Sequence, residues 1–277
     1  MNPKLETHKK HRELLLEKIV EYISHDDRFV AAWLTGSLGK NVSDSFSDID
    51  ISIVVSEQEA EYFCTRLEQV SAQTTPERLA FFSQFGTPAL TYENHNHAPS
   101  GGAFTSVLYA GSALTVDWIL IPQSKATRPL PSQLLFDKTG IPTAPAPEPE
   151  ELEQSKKSVA EIWAFFWMMT AITIKNIHRN DGVFVAHWIE ILFQLKYDIE
   201  RRLKREPWKY TRRSISQLQP TREKQIESIC ELYGTMLDLK PAVKHFIGME
   251  PATPLAEIEI LLSLGDNSQS KIANQKS

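Results

Sequence analysis

TGSLGKNVSDSFSDIDISIVV, residues 35–55, puts a Gly-Ser pair after an apolar run and two aspartates at the head of the next one. In a strand, residues two apart point to the same face. Asp48, Asp50 and Ser52 therefore share one face, and Ile49, Ile51 and Ile53 share the other. The isoleucines account for a buried side. Two neighbouring carboxylates repel each other, and each is costly to bury without a partner. A hard divalent cation resolves both problems. Mg²⁺ takes oxygen ligands, commonly one or two carboxylates plus the phosphates of a substrate. Two such ions ~3.5–4 Å apart can activate an attacking oxygen and stabilise a leaving phosphate.

Asp117 in TVDWILIP is the best candidate for a third carboxylate, with Val116 and Trp118 facing the core while Asp117 faces away. There it could bind metal or take a proton from a nucleophile. Gly36 lets backbone N–H groups approach a phosphate closely, and the Ser37 hydroxyl adds a donor. A short helix starting in LGKNVSDSF would favour an anion at its N-terminus, and Lys40 could neutralise a phosphate. The ordered set is strand, Gly-Ser, short helix, Ser-Asp-x-Asp, strand.

Outward from this stretch, Leu14, Leu15, Ile19, Tyr22 and Ile23 recur at helical spacing, which predicts a helix over residues 5–24. Phe29 to Thr35 reads as a buried strand, and EQEAEYFCTRLEQV as a helix with Ser56 as its N-cap. FTSVLYA and ALTVDWILI, separated by Gly111-Ser112, read as a hairpin with a type II′ turn. Prolines at 129, 131, 142, 145, 147 and 149 mark residues 128–150 as a linker, interrupted by LLFDKTG. Beyond it come long apolar helices with a break at Arg179-Asn180-Asp181-Gly182, then further helices to about residue 264. A mixed α/β half followed by an all-helical half is the architecture expected.

Composition sets broader limits. Hydrophobic residues make up 42% of the 277 and charged ones 23%, which suits a globular protein with a core. No apolar run reaches the ~18 residues of a membrane span, and the charged N-terminus lacks a signal-peptide core, so a cytoplasmic protein is expected. Cys64 and Cys230 lack metal-type spacing and read as buried thiols. The net charge of −5 lies in the first 145 residues, which argues against a protein devoted to nucleic acid.

The ordered set resembles the DNA polymerase β-type nucleotidyltransferase superfamily, whose pattern is G-S, a spacer, then D-x-D on the next strand. Across the chain, the stretch DDRFVAAWLTGSLGKNVSDSFSDIDI, the VDWILIP strand, LLFDKTG and WMMTAITIKNIHRNDGVFVAHWIEIL resemble the lincosamide nucleotidyltransferases and streptomycin 6-adenylyltransferases. The resemblance implies an α/β (α+β) nucleotidyltransferase domain with a mixed sheet over residues 1–145. A helical-bundle domain over 146–265 would close on the nucleotide, followed by a flexible tail at 266–277. It further implies that Gly36 and Ser37, with Lys40 nearby, bind the triphosphate of ATP or another nucleoside triphosphate. Asp48 and Asp50 would bind Mg²⁺, with Asp117 as metal ligand or general base. The implied reaction transfers AMP to a hydroxyl of a small molecule, an antibiotic in this branch. The acting species would be a monomer or homodimer. A protein acceptor, as in antitoxin-type enzymes, and a non-catalytic nucleotide-binding regulator are the alternatives.

Other polar residues read more modestly. Lys175 and Arg179, near the helical break, could reach the phosphates, and His187 with Glu190 could face an acceptor. Trp163, Trp167 and Trp188 read as core. KYDIERRLKREPWKYTRRS reads as the solvated end of a helix, with Asp198, Glu200 and Glu206 as its partners. His95 and His97 offer no complete ligand set.

Overall fold

The structure, a computed structural model, describes residues 2–65, 74–95, 97–145, 157–206 and 221–265. Helix α1 (Pro3–His25) opens with Pro at its first position and Asn2 as N-cap, whose side chain accepts from the Lys4 amide. Strand β1 (Phe29–Leu34) runs into the four-residue helix α2 (Gly36–Gly39), and β2 (Ile49–Val55) returns antiparallel to β1. Helices α3 (Ala60–Cys64) and α4 (Pro76–Ser83) precede β3 (Pro88–Glu93), β4 (Ala103–Tyr109) and β5 (Thr115–Pro122). Short strands β6 (Arg128–Leu130), β7 (Gln133–Asp137) and β8 (Thr143–Pro145) follow. The main sheet has the order β3-β4-β5-β2-β1-β7, with β2 and β5 parallel and the other neighbours antiparallel. It is a mixed sheet.

One face of the sheet is mostly apolar. Ile49, Ile51 and Ile53 of β2 and Val116, Trp118 and Leu120 of β5 join Ile19 and Ile23 of α1 in one buried cluster. Trp118 stacks between Phe82 and Phe85, with ring centroids 5.1 and 5.2 Å away. Burying each such ring contributes about 1.5–3 kcal/mol. This packing clamps β5 and leaves its alternate residue, Asp117, on the opposite face. The buried ion pair Arg78–Glu93 (2.8 Å) ties α4 to β3, and Thr105 of β4 donates to the same carboxylate at 3.0 Å.

The helical part consists of α5 (Val159–Arg179), α6 (Gly182–Leu203), α7 (Arg222–Ile247) and α8 (Leu255–Ser263). A capping box joins Ser158 and Glu161 at the start of α5, and Asn180 in the left-handed conformation ends it. Trp163 and Trp167 are buried in its core, as expected, while Trp188 is half-buried. This core continues onto the sheet through Leu90, Tyr92 and Leu108. Among the described residues, no helix is long and apolar enough to cross a membrane.

Four expectations change. Ser56 does not cap α3: its amide pairs with the Arg28 carbonyl at 2.8 Å, and Glu59 is the N-cap, a turn later. Residues 66–70 of that expected helix lie outside the described residues. The β4–β5 connection is longer than a two-residue turn. It runs from Ala110 to Leu114, closed by Tyr109 N–H to Leu114 O at 2.9 Å, and the Gly111 amide is taken by Glu257 of α8 at 3.0 Å. Within the described residues the proline-rich stretch forms short strands rather than a plain linker. LLFDKTG supplies the edge strand β7, and Asp137 accepts the amides of Thr139, Gly140 and Ile141. The rest of that linker, 146–150, and the expected tail at 266–277 lie outside the described residues. The short helix starts at Gly36 itself rather than within LGKNVSDSF.

Candidate active site

The face of β2 and β5 opposite the isoleucines carries the polar residues. The parallel register pairs Asp50 with Asp117, so the two carboxylates stand side by side on adjacent strands. The antiparallel neighbour β4 sets Ser106 opposite Asp117, and the Ser106 hydroxyl donates to Asp117 Oδ1 at 2.6 Å. Both carboxyls are pushed upward. Burial, then Asp117 and Asp48, raise Asp50 to about 8; burial raises Asp117 to about 6. A hydrogen bond between the two carboxyl groups raises Asp50 and lowers Asp117, which favours the proton on Asp50.

Gly36 is shaped to this pair. Its φ of +56° is unfavourable for other residues, and a Cβ placed on it would lie 2.0 Å from Asp50 Oδ2. The Thr35 amide donates to the Asp50 carbonyl at 3.0 Å, so the chain turns into α2 directly beside the carboxylate. Ser37 follows in the first turn of α2, and Lys40 is exposed at its far end.

Asp48 is engaged differently. Lys175 of α5 donates to Asp48 Oδ1 and, at 2.9 Å, to Thr115 Oγ1. Asp48 precedes the Ile49–Val116 pair, so Asp48 and Thr115 form one rung and Asp50 and Asp117 form the next on the same face. Buried beside them, His8 is pushed down to about 4 by burial and by Lys175. The loop before Asp48 is pinned from two sides. Arg12 donates to the carbonyls of Asp44 (2.6 Å) and Ser47 (3.0 Å). Arg179 grips the Asp44 carboxylate with two bonds of 2.6 and 2.8 Å, which pull it down to about 2.

Residues 17–85 match the family described as "Polymerase beta, Nucleotidyltransferase". The N-terminal part of the chain is a nucleotidyltransferase domain, similar over these residues to the polymerase β type. The match spans Gly36, Ser37, Asp48 and Asp50, and the sheet then adds Asp117 to the same face. Among solved structures, the nucleotidyltransferase is similar to a STING-associated CdnE c-di-GMP synthase from Capnocytophaga granulosa. Identity is 10% and the TM-score 0.27, over 94% of this chain and 80% of that chain. No curated protein matches.

The structure brings Gly36, Asp50 and Asp117 together on one face. Asp48 lies on the expected face but is committed to Lys175. Among the described residues, no group of three or more His, Cys, Asp or Glu is arranged to hold a metal ion. The donor set that fits a divalent cation is the Asp50–Asp117 pair, whose mutual repulsion such an ion would relieve. Lys175 and Arg179 are not directed at a phosphate: each closes on an aspartate. His187 lies edge-on to Trp188, and Glu190 accepts from Gln194 at 3.0 Å. Lys196 pairs with Glu200 and Arg202 with Asp198, as expected for a solvated helix end. Residues 207–214 of the basic segment lie outside the described residues.

The role of Lys175 as partner of Asp48 escaped the sequence reading, although a signal was present. It falls on the stripe of α5 that carries Trp167, Met168 and Ala171, all buried. A lysine in such a stripe calls for an anion across the interface.

The carboxyl pair also sets a pH dependence. A carboxyl raised in the folded state holds its proton where the unfolded chain has lost it, so stability falls as pH rises through that window. Relative to Asp50→Asn, the metal-free wild type should lose melting temperature from about pH 4, the ordinary carboxylate value, toward pH 8. Thermal melts of both proteins across that range check this. A gap that stays constant with pH would remove the repulsive pair.

Proposed function

We propose that this nucleotidyltransferase moves a nucleoside monophosphate, AMP from ATP, onto a hydroxyl of a small molecule and releases pyrophosphate. The acceptor class we favour is an antibiotic such as a lincosamide or an aminoglycoside, on the resemblance of the whole chain to those enzymes. The observation that carries the reading is the Asp50–Asp117 rung with Gly36 held against it.

Asp50 and Asp117 would hold Mg²⁺, which when bound supplies charge neutralisation of the triphosphate. The chain does the rest. The turn at Gly36 and Ser37 leaves the first amides of α2 without helical acceptors, where the triphosphate oxygens can take them. Asp117 receives the acceptor's proton as the hydroxyl oxygen bonds to the α-phosphorus. The bond from that phosphorus to its bridging oxygen breaks, and pyrophosphate departs with the electron pair. In the metal-free protein, burial raises the Asp117 carboxyl to about 6, so it holds a proton more tightly than an ordinary carboxylate. Ser106 fixes one of its oxygens, which sets the direction of the other.

The test is pyrophosphate release with Mg²⁺ and each nucleoside triphosphate, across lincosamides, aminoglycosides and small alcohols, with Asp50→Asn alongside. Release that depends on an acceptor and is lost in the variant is the expected result. Nucleotide binding with no release across the panel would move the assignment to a protein acceptor or a regulatory role.

A further inference from the structure

Lys175 is buried inside α5, and its ammonium crosses from the helical part to the sheet to meet Asp48 and Thr115. Ordering a lysine side chain costs conformational entropy, and burying its charge costs more unless a partner receives it. Both costs are met at one rung of the sheet. Its acceptors come from the two parallel strands whose next residues on that face are Asp50 and Asp117. One rung thus has its charge balanced by the protein, and the adjacent rung carries two carboxyls that repel each other.

We propose that Lys175 is the permanent counter-cation of Asp48, so that Asp48 is not free to take a metal ion and the site would take one divalent cation, at Asp50 and Asp117. The inference rests on the nucleotidyl-transfer reading for the existence of that cation. Two features favour a fixed ammonium over one displaced when metal arrives. Lys175 has a second acceptor in Thr115, and its stem is enclosed by the core of α5. Swinging out would strand Asp48 and empty a buried channel. A compact point charge on a long stem suits the task of neutralising one carboxylate without occupying a metal's full coordination sphere.

The experiment counts bound Mn²⁺ by electron paramagnetic resonance on the full chain, with one equivalent of a non-hydrolysable ATP analogue. The wild type is expected to bind one Mn²⁺ per chain, and Lys175→Met, which releases Asp48, is expected to bind two. Two ions in the wild type, or one in Lys175→Met, would overturn the counter-cation while leaving nucleotidyl transfer standing. No bound ion in the wild type would overturn the metal reading and this inference with it. Should Lys175→Met fail to fold, Lys175→Met/Asp48→Asn removes both charges together. It is expected to keep one Mn²⁺, and losing that ion would show Asp48 to be a ligand.

Discussion

Asp117→Asn is expected to lower the rate of nucleotidyl transfer by about 10²–10⁴-fold, the usual worth of a positioned general base. An amide keeps the shape of the side chain and can still accept from Ser106, but it cannot take the acceptor's proton. The substitution also removes one member of a repelling pair, so the metal-free protein should melt no lower than the wild type. Loss of function without loss of stability is therefore the signature. Single-turnover rates and Mg²⁺–nucleotide affinity, measured together, separate the two roles of the residue. A slow variant that binds Mg²⁺–nucleotide normally identifies a base; one that has lost that binding identifies a ligand. Near-normal rates would remove Asp117 from the chemistry.

Gly36→Ala should be nearly as damaging, although it adds only a methyl group. The new Cβ would sit 2.0 Å from Asp50 Oδ2 and 2.7 Å from its Cγ, so the carboxylate has to move. A positive φ of 56° adds about 1–2 kcal/mol of backbone strain. Displacing a reacting group by ~1 Å can cost ~10²-fold in rate, and that is the loss expected in kcat. Gly111→Ala is the control. It also has a positive φ, 72°, but a Cβ there meets nothing within 4 Å. It should lose some melting temperature and keep its rate. Equal losses of rate in both variants would mean that strain, not contact with Asp50, is responsible.

The two substitutions show how differently the site was written into the chain. Gly36, Asp48 and Asp50 lie within one local stretch, and alternation along a strand is enough to put both aspartates opposite Ile49, Ile51 and Ile53. Asp117 was legible for the same reason, since Val116 and Trp118 fix its face. Its partnership with Asp50 was not, because a parallel register between β2 and β5 depends on the whole sheet. The edges of that sheet were also hidden. β3 was not anticipated, and β7 arose inside a proline-rich stretch, where composition alone suggests a linker. Pairing with β1 supplied the hydrogen bonds that the local sequence did not promise.

The sequence by itself determined the elements with strong periodicity: α1, β1, β2, β5 and the long helices on either side of Asn180. It also determined the polar face on which the chemistry is proposed, because side-chain direction in a strand follows from backbone geometry alone. Tertiary structure decided which charges meet across that face. Lys175 and Asp48 are 127 positions apart, and Arg179 and Asp44 are 135 apart. The energy of such a pair depends on distance and burial, and neither is set until the helices close on the sheet.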